Sequence, residues 1–250
     1  MTMVSEKNIQ ISTQEGGLVV GYLLAGYPTP EKFIEVLQDC NDIGLDIYEI
    51  GFPSTNPYAD GEVICAAHNK VDKTLCSNIE YWQRIRCSTN KPIWLMAYRS
   101  DFIDTKKYLQ FAQNKVMDAI VIPDMTWEQR LALSKELEPY GIDVLGFVNP
   151  SMSKEDMHHC FENFTLVYAQ LHAGQTGAEV KNDTYHEMLN LSLEYEAVHA
   201  FAGFGINTRE RVEKLLSEGF KGAIIGTSMI KKLNDSKEEF LDFVRELKDV

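Results

Sequence analysis

Short apolar, β-branched runs alternate with longer amphipathic stretches along this chain. The runs are LVVGYLL (Leu18 to Leu24), LDIYEIG (Leu45 to Gly51), PIWLMAY (Pro92 to Tyr98), AIVIP (Ala119 to Pro123), IDVLGFV (Ile142 to Val148), TLVYAQL (Thr165 to Leu171), AVHAFAGFG (Ala197 to Gly205) and GAIIG (Gly222 to Gly226). Each reads as a strand, so eight strands are expected. Between them the apolar spacing changes to that of helices. Thr29 and Pro30 read as an N-cap followed by proline at the first helical position, and Phe33, Val36, Leu37 and Cys40 then share one face. Thr126 with Gln129, and Ser236 with Glu239, predict capping boxes. Val212, Leu215 and Leu216 keep the helical period up to a stop at Gly219, and Phe240, Phe243, Val244 and Leu247 form the stripe of a last helix.

Strands alternating with helices predict a parallel sheet joined by crossover helices. With 250 residues, the expected fold is α/β, a single (β/α)8 TIM barrel spanning residues 1–250. A doubly wound open sheet is the competing arrangement. No Ser/Gly-rich linker divides the chain.

Composition narrows the classes of function. The formal net charge is −13, which argues against nucleic acid and anionic membranes as partners. An anionic substrate stays open, because backbone N–H groups and helix N-termini bind phosphate without any net positive charge. No apolar run approaches the roughly 18 residues of a membrane span, and the polar stretch Met1 to Gln14 has no signal-peptide centre. A cytoplasmic address is the default expectation. Five widely spaced cysteines without a CxxC predict buried or partly buried free thiols rather than a disulfide framework or zinc site. No metal site is expected. Adjacent His158 and His159 point in different directions on a helix, and Trp82, Trp94 and Trp127 read as packing residues.

Glu49 lies inside an apolar strand, near its C-terminal end, where barrel active sites form. Strand alternation places it on one face with Leu45 and Ile47. A charge there is costly unless it is paired or functional, and the residues alone leave both readings open. Asp60 follows in the Pro/Gly-rich loop GFPSTNPYADGE, where Asp-Gly by itself reads as a turn. Together the two predict a divided pair: Glu49 with a raised pKa in apolar surroundings, Asp60 ionised in a polar loop. Three glycine-bearing turns, AGQTGAE, GFGI and GTS, follow the last three strands. The latter two fall where barrels bind phosphate, although plain turn glycines would give the same letters.

The segment GLDIYEIGFPSTNPYADG resembles the motif of tryptophan synthase alpha subunits, close to G-A-D-x-x-E-L-G-x-P-F-S-D-P-x-A-D-G. Glu49, Gly51, Pro53, Pro57, Ala59, Asp60 and Gly61 match. AGYP, LMAY, IPDM, TGAE, GFGI and IGTS recur in the family's order over nearly the whole chain. The resemblance implies retro-aldol cleavage of indole-3-glycerol phosphate to indole and glyceraldehyde 3-phosphate. It implies Glu49 as the acid and base and Asp60 as the partner of the indole N–H. Tyr22, Tyr168, Thr176 and Phe204 would lie near substrate, and Gly177, Gly205, Gly226 and Thr227 would hold the phosphate. It also implies a beta subunit, carrying pyridoxal phosphate, that takes up indole in an α2β2 assembly, while this chain itself needs no cofactor.

The chain departs from the family pattern at Tyr27 and Ser54, Asn56 and Glu62, and at Thr126 and Gln175. Several of these cluster on the loop that faces the beta subunit in the family. They motivate a second reading, a weak or inactive alpha chain that mainly activates the beta subunit. A third reading, another phosphate-binding barrel acting on a sugar phosphate, rests on the barrel pattern and the glycine turns alone.

Overall fold

Eight of the expected runs become strands, and the fifth divides in two. In the computed structural model, which describes residues 2–172 and 185–248, the strands are β1 (Leu18–Leu24), β2 (Ile47–Gly51), β3 (Ile93–Met96), β4 (Ala119–Val121), β5 (Asp143–Val144), β6 (Gly146–Val148), β7 (Leu166–Gln170), β8 (His199–Gly203) and β9 (Gly222–Ile225). All pair in parallel, in the order β5-β4-β3-β2-β1-β9-β8-β7-β6. β5 pairs with β4 and β6 with β7, and only Leu145 lies between them. The ring therefore closes through one strand that changes partner midway. Leu145 itself still donates its N–H to Ile120 O at 3.0 Å. This is the barrel of the TIM class, not the open sheet.

Alternation sorts the side chains into two cores. Leu18, Val20, Ile47, Trp94, Val121, Phe147, Tyr168, Phe201 and Ile224 fill the barrel interior. The opposite residues face a larger cluster shared with the surrounding helices. Leu45 belongs to that outer cluster, contrary to the expectation that it shares a face with Glu49. The strand begins only at Ile47, so the period of two does not extend back to it.

The helical stripes behave as their spacing requires. The helix Pro30–Ile43 starts at Thr29, whose hydroxyl accepts from Lys32 N–H, and it buries Phe33, Val36, Leu37 and Cys40. Each such large apolar side chain contributes about 1.5–3 kcal/mol by leaving water. Thr126 and Gln129 form the reciprocal capping box. Ser236 accepts from Glu239 N–H as expected, but the Glu239 carboxylate pairs with Lys232 instead of closing a box. Gly219 ends its helix at φ 119°. Tyr27 is buried and hydrogen-bonds Asn234. Three of the free thiols are buried, Cys65 is half-buried, and Cys87 is exposed, against expectation. Trp82 and Trp94 are core residues; His159 stacks on Trp127, and His158 lies 2.6 Å from the Tyr195 hydroxyl.

One element escaped the pattern. The helix Glu6–Ser12, capped by Ser5, sends Ile11 into the barrel interior at the N-terminal ends of the strands. Its stretch is mostly polar, so period alone gives little sign of it.

Candidate active site

The C-terminal ends of the strands open into a cavity enclosing about 450 Å³ of empty space, part of it open to solvent. Tyr22 of β1, Glu49 of β2, Met96 of β3, Val121 of β4, Phe147 of β6 and Tyr168 of β7 form its walls, with Asp60, Phe204 and Gly226 at the rim.

Glu49 sits between Tyr22 and Trp94 in the sheet register and is 3 % exposed. Burial first, then the nearby charge of Asp60, pushes its pKa up to about 8. The carboxyl is therefore largely protonated at neutral pH, as a proton donor must be. Asp60 lines the same cavity, but the expected polar, solvated loop is not what surrounds it. It is 3 % exposed, with the Tyr98 hydroxyl donating to Oδ2 at 2.8 Å. Burial and the Asp60 charge raise the Tyr98 pKa far above its ordinary value, so that hydroxyl remains a donor.

The loop carrying Asp60 is knitted from within. Ala59 N–H donates to the Tyr98 oxygen at 3.2 Å. Ser54 is 1 % exposed; its hydroxyl donates to Asp101 Oδ2 at 2.6 Å and accepts from Asn56 N–H at 3.0 Å. Ser54 is thus an internal tie, whereas Asn56 and Glu62 are exposed. From the following helix, Glu62–Lys70, buried His68 accepts the Ser54 N–H on Nδ1 at 3.0 Å. The Cys65 thiol donates to Asp60 O at 3.3 Å.

Two glycines here serve side chains rather than ligands. A Cβ on Gly51 would lie 2.3 Å from the Tyr22 hydroxyl, and one on Gly203 would lie 2.4 Å from the Tyr168 ring. Both aromatic rings need that missing atom to reach the cavity. Phe204 and Gly205 follow with φ of 76° and 71°. For phenylalanine this left-handed backbone is strained, a feature that clusters at functional sites. It sets the Phe204 ring edge-on to Tyr168, with centroids 6.2 Å apart.

Gly226 precedes the helix Thr227–Asp235. The first N–H groups of a helix have no partner within it, which suits an anion. Thr227 Oγ1 is buried there with no hydrogen-bond partner among the described residues, and so is the Tyr22 hydroxyl. Such groups are costly unless something binds them. Of the residues anticipated at the site, Glu49, Asp60, Tyr22, Tyr168, Phe204 and Gly226 come together, with Gly205 and Thr227 next in chain to two of them. Thr176, Gly177 and Gln175 lie outside the described residues. Tyr98, His68, Met96, Val121 and Phe147 were missed. Met96 and Tyr98 had a signal, since both lie in the LMAY stretch; the others carry no local mark.

Known proteins match this chain over most of its length. A family model described as tryptophan synthase alpha chain matches residues 9–249. The tryptophan synthase alpha chain of Methanopyrus kandleri is 30% identical over 257 aligned residues, covering 98% of this chain and 92% of that one. That of Thermoanaerobacter pseudethanolicus is 29% identical, with 98% of each covered. Among solved structures, Mycobacterium tuberculosis tryptophan synthase superposes with a TM-score of 0.83 at 20% identity, over 99% of this chain and 97% of that one. The tryptophan synthase A-subunit of Pyrococcus furiosus gives 0.80 at 24%, over 94% and 98%. At those identities the structures speak for the fold alone.

Proposed function

The chain belongs to the tryptophan synthase alpha chain family, whose known role is cleavage of indole-3-glycerol phosphate, and from that premise we propose how its own residues do this work. The observation that carries the reading is the pair of carboxyl groups in one buried cavity, with Glu49 held up near pKa 8. Neutral Glu49 donates its proton to the indole carbon that bears the glycerol chain. The resulting carboxylate then takes the proton of the adjacent glycerol hydroxyl. The C–C bond breaks, the electron pair returns to the indole, and an aldehyde leaves as glyceraldehyde 3-phosphate. Asp60 accepts the indole N–H and stabilises the cationic ring of the intermediate.

The apolar walls, Met96, Val121, Phe147, Tyr168 and Phe204, take the indole. The Tyr22 hydroxyl, buried without a partner among the described residues, bonds the polar part of the substrate. Gly205, Gly226 and Thr227 hold the phosphate, with Gly177 and Thr176 assigned to the same ligand from their motif. The chemistry is acid/base throughout and asks for no cofactor in this chain. A beta subunit with pyridoxal phosphate, in an α2β2 complex in the cytoplasm, takes up the indole. The tryptophan synthase of P. furiosus is an a2b2 complex with mutual activation.

The second reading, an alpha chain acting mainly as activator, rests on Asn56, exposed on the loop beside the site, and Glu62, exposed at the start of the helix that follows it. Ser54 does not support it, because it is buried and orders that loop. Indole release from indole-3-glycerol phosphate, with and without the cognate beta subunit, separates the two. Cleavage that disappears in Glu49→Gln supports the lyase. No cleavage in either condition, alongside stimulated conversion of indole and serine, would leave the activator.

A further inference from the structure

His68 is a buried titratable side chain at the site that the chemistry above leaves unused. It is 1 % exposed. Its Nδ1 accepts the Ser54 N–H at 3.0 Å, so Nδ1 carries no proton and the neutral ring bears its proton on Nε2. Burial, then the positive charge of Lys73, lowers its pKa to about 4. The ring therefore keeps this one tautomer across neutral pH. Nε2 is buried without a hydrogen-bond partner among the described residues, and it lies 3.9 Å from Asp60 Oδ2. That is about 1 Å beyond an ordinary N–H···O bond, a gap typical of ligand-free sites that tighten in use.

The ring joins two points of one loop. Ser54 and Asp60 lie six positions apart, and His68 meets the backbone of the first and the carboxylate of the second from a separate helix. Lys73 holds that helix's end by donating to His68 O. We propose that His68 is a positioning residue for Asp60: its Nε2–H donates to Oδ2 of the ionised carboxylate and, with the Tyr98 hydroxyl, fixes it against the indole N–H. This rests on the role given to Asp60 above. Among the described residues, the other titratable groups around the pair are Glu49, Tyr22, Tyr168, Tyr98, Cys65, Lys73 and, through the Ser54 hydroxyl, Asp101. None of them duplicates the link between Ser54 and Asp60.

The test compares His68→Phe, which keeps the bulk and removes both nitrogens, with His68→Gln, whose amide can accept and donate. The Asp60 carboxyl carbon is followed by ¹³C NMR as a function of pH in the free chain. The Asp60 midpoint should rise by about one pH unit in His68→Phe, roughly tenfold in proton affinity, and return most of the way in His68→Gln. An unchanged midpoint in folded His68→Phe overturns the proposal. If that variant fails to fold, long-range ¹H–¹⁵N spectra of the wild-type chain decide. A proton on Nε2 whose resonance moves in Asp60→Asn supports the contact, and a proton on Nδ1 overturns it. In turnover of indole-3-glycerol phosphate, His68→Phe should lower kcat about tenfold, with its acid limb displaced upward and KM little changed. A fall in kcat with the acid limb unmoved means a merely structural histidine and overturns the proposal. Wild-type chain that releases no indole would sink the lyase reading, while the Asp60 titration would still decide on His68.

Discussion

The two ends of the barrel use buried and half-buried carboxylates in opposite ways. At the N-terminal ends of the strands, Asp46, Asp118 and Asp143 each tie one strand's start to a neighbour. Asp46 accepts Val19 N–H at 2.8 Å and Lys248 Nζ at 2.6 Å. Asp118 accepts Ile93 N–H at 2.8 Å and pairs with Arg86. Asp143 accepts Val4 N–H, Ser5 N–H and the Asn8 amide. Asn8 in turn accepts from Trp94 Nε1 at 2.9 Å. At the C-terminal ends, Glu49 faces an apolar cavity, and Tyr22 and Thr227 have buried polar atoms without partners among the described residues. One end satisfies its polar groups from within the fold. The other leaves them for a ligand, and the satisfied end supplies the stability that lets it do so.

The difference predicts how each end fails when altered. The largest effect belongs to Glu49→Gln, which should lower indole release by about 10²- to 10⁴-fold while circular dichroism shows an intact fold; near-normal turnover would remove Glu49 from the mechanism. Next is the pH dependence of stability. The folded pKa of Glu49 is raised above its unfolded value, so the folded state binds the proton more tightly. Its stability contribution is fully present below the unfolded pKa, near 4.5, and is lost as pH rises to about 8. Urea titrations should show wild type losing stability relative to Glu49→Gln between pH 5 and 8, on the order of 4 kcal/mol at most. A difference independent of pH would mean that the carboxyl is ionised throughout.

At the other end, Asn8→Ala leaves the buried Trp94 Nε1–H without its acceptor and takes one donor from Asp143. It should cost about 2–4 kcal/mol in urea unfolding and leave kcat unchanged at a temperature where the variant is folded. A loss of turnover instead would mean that the ends are coupled and the comparison is wrong. The smallest effect is expected for Tyr22→Phe. Removing a buried hydroxyl without a partner among the described residues should leave stability equal or higher by about 1 kcal/mol, while KM for indole-3-glycerol phosphate rises. A clear loss of stability with unchanged KM would show that the hydroxyl serves the fold.

Much of this was legible in the letters. The strand-helix alternation specified a parallel sheet with crossover helices, because a buried parallel strand and an amphipathic helix have distinct periods, and the chain length favoured the closed barrel over the open sheet. The cap at Thr29, the box at Thr126 and the stop at Gly219 depend on neighbours within four residues, and all appear where the sequence puts them. Glu49 stood out as a charge in an apolar strand. The Glu49 and Asp60 spacing, through family resemblance, pointed to one reaction.

Other features depend on contacts between residues far apart in the chain, which a local pattern does not record. Buried Asp60 takes its hydroxyl donor from Tyr98, 38 positions away. Ser54 looked like a disturbance of the loop and proved to be its tie, because Asp101 lies opposite. The glycines of GFGI looked like a phosphate cradle, yet Gly203 is empty of side chain to admit Tyr168 from β7. The helix Glu6–Ser12 closes the barrel through Asn8, whose partners lie on the segments around Trp94, Asp118 and Asp143. The sequence by itself determined most of the elements, their order and the carboxylate pair, since period and motif are properties of short stretches. Only the tertiary structure decided which polar groups are satisfied and which are left open, because that depends on what the closed ring brings to each of its two ends.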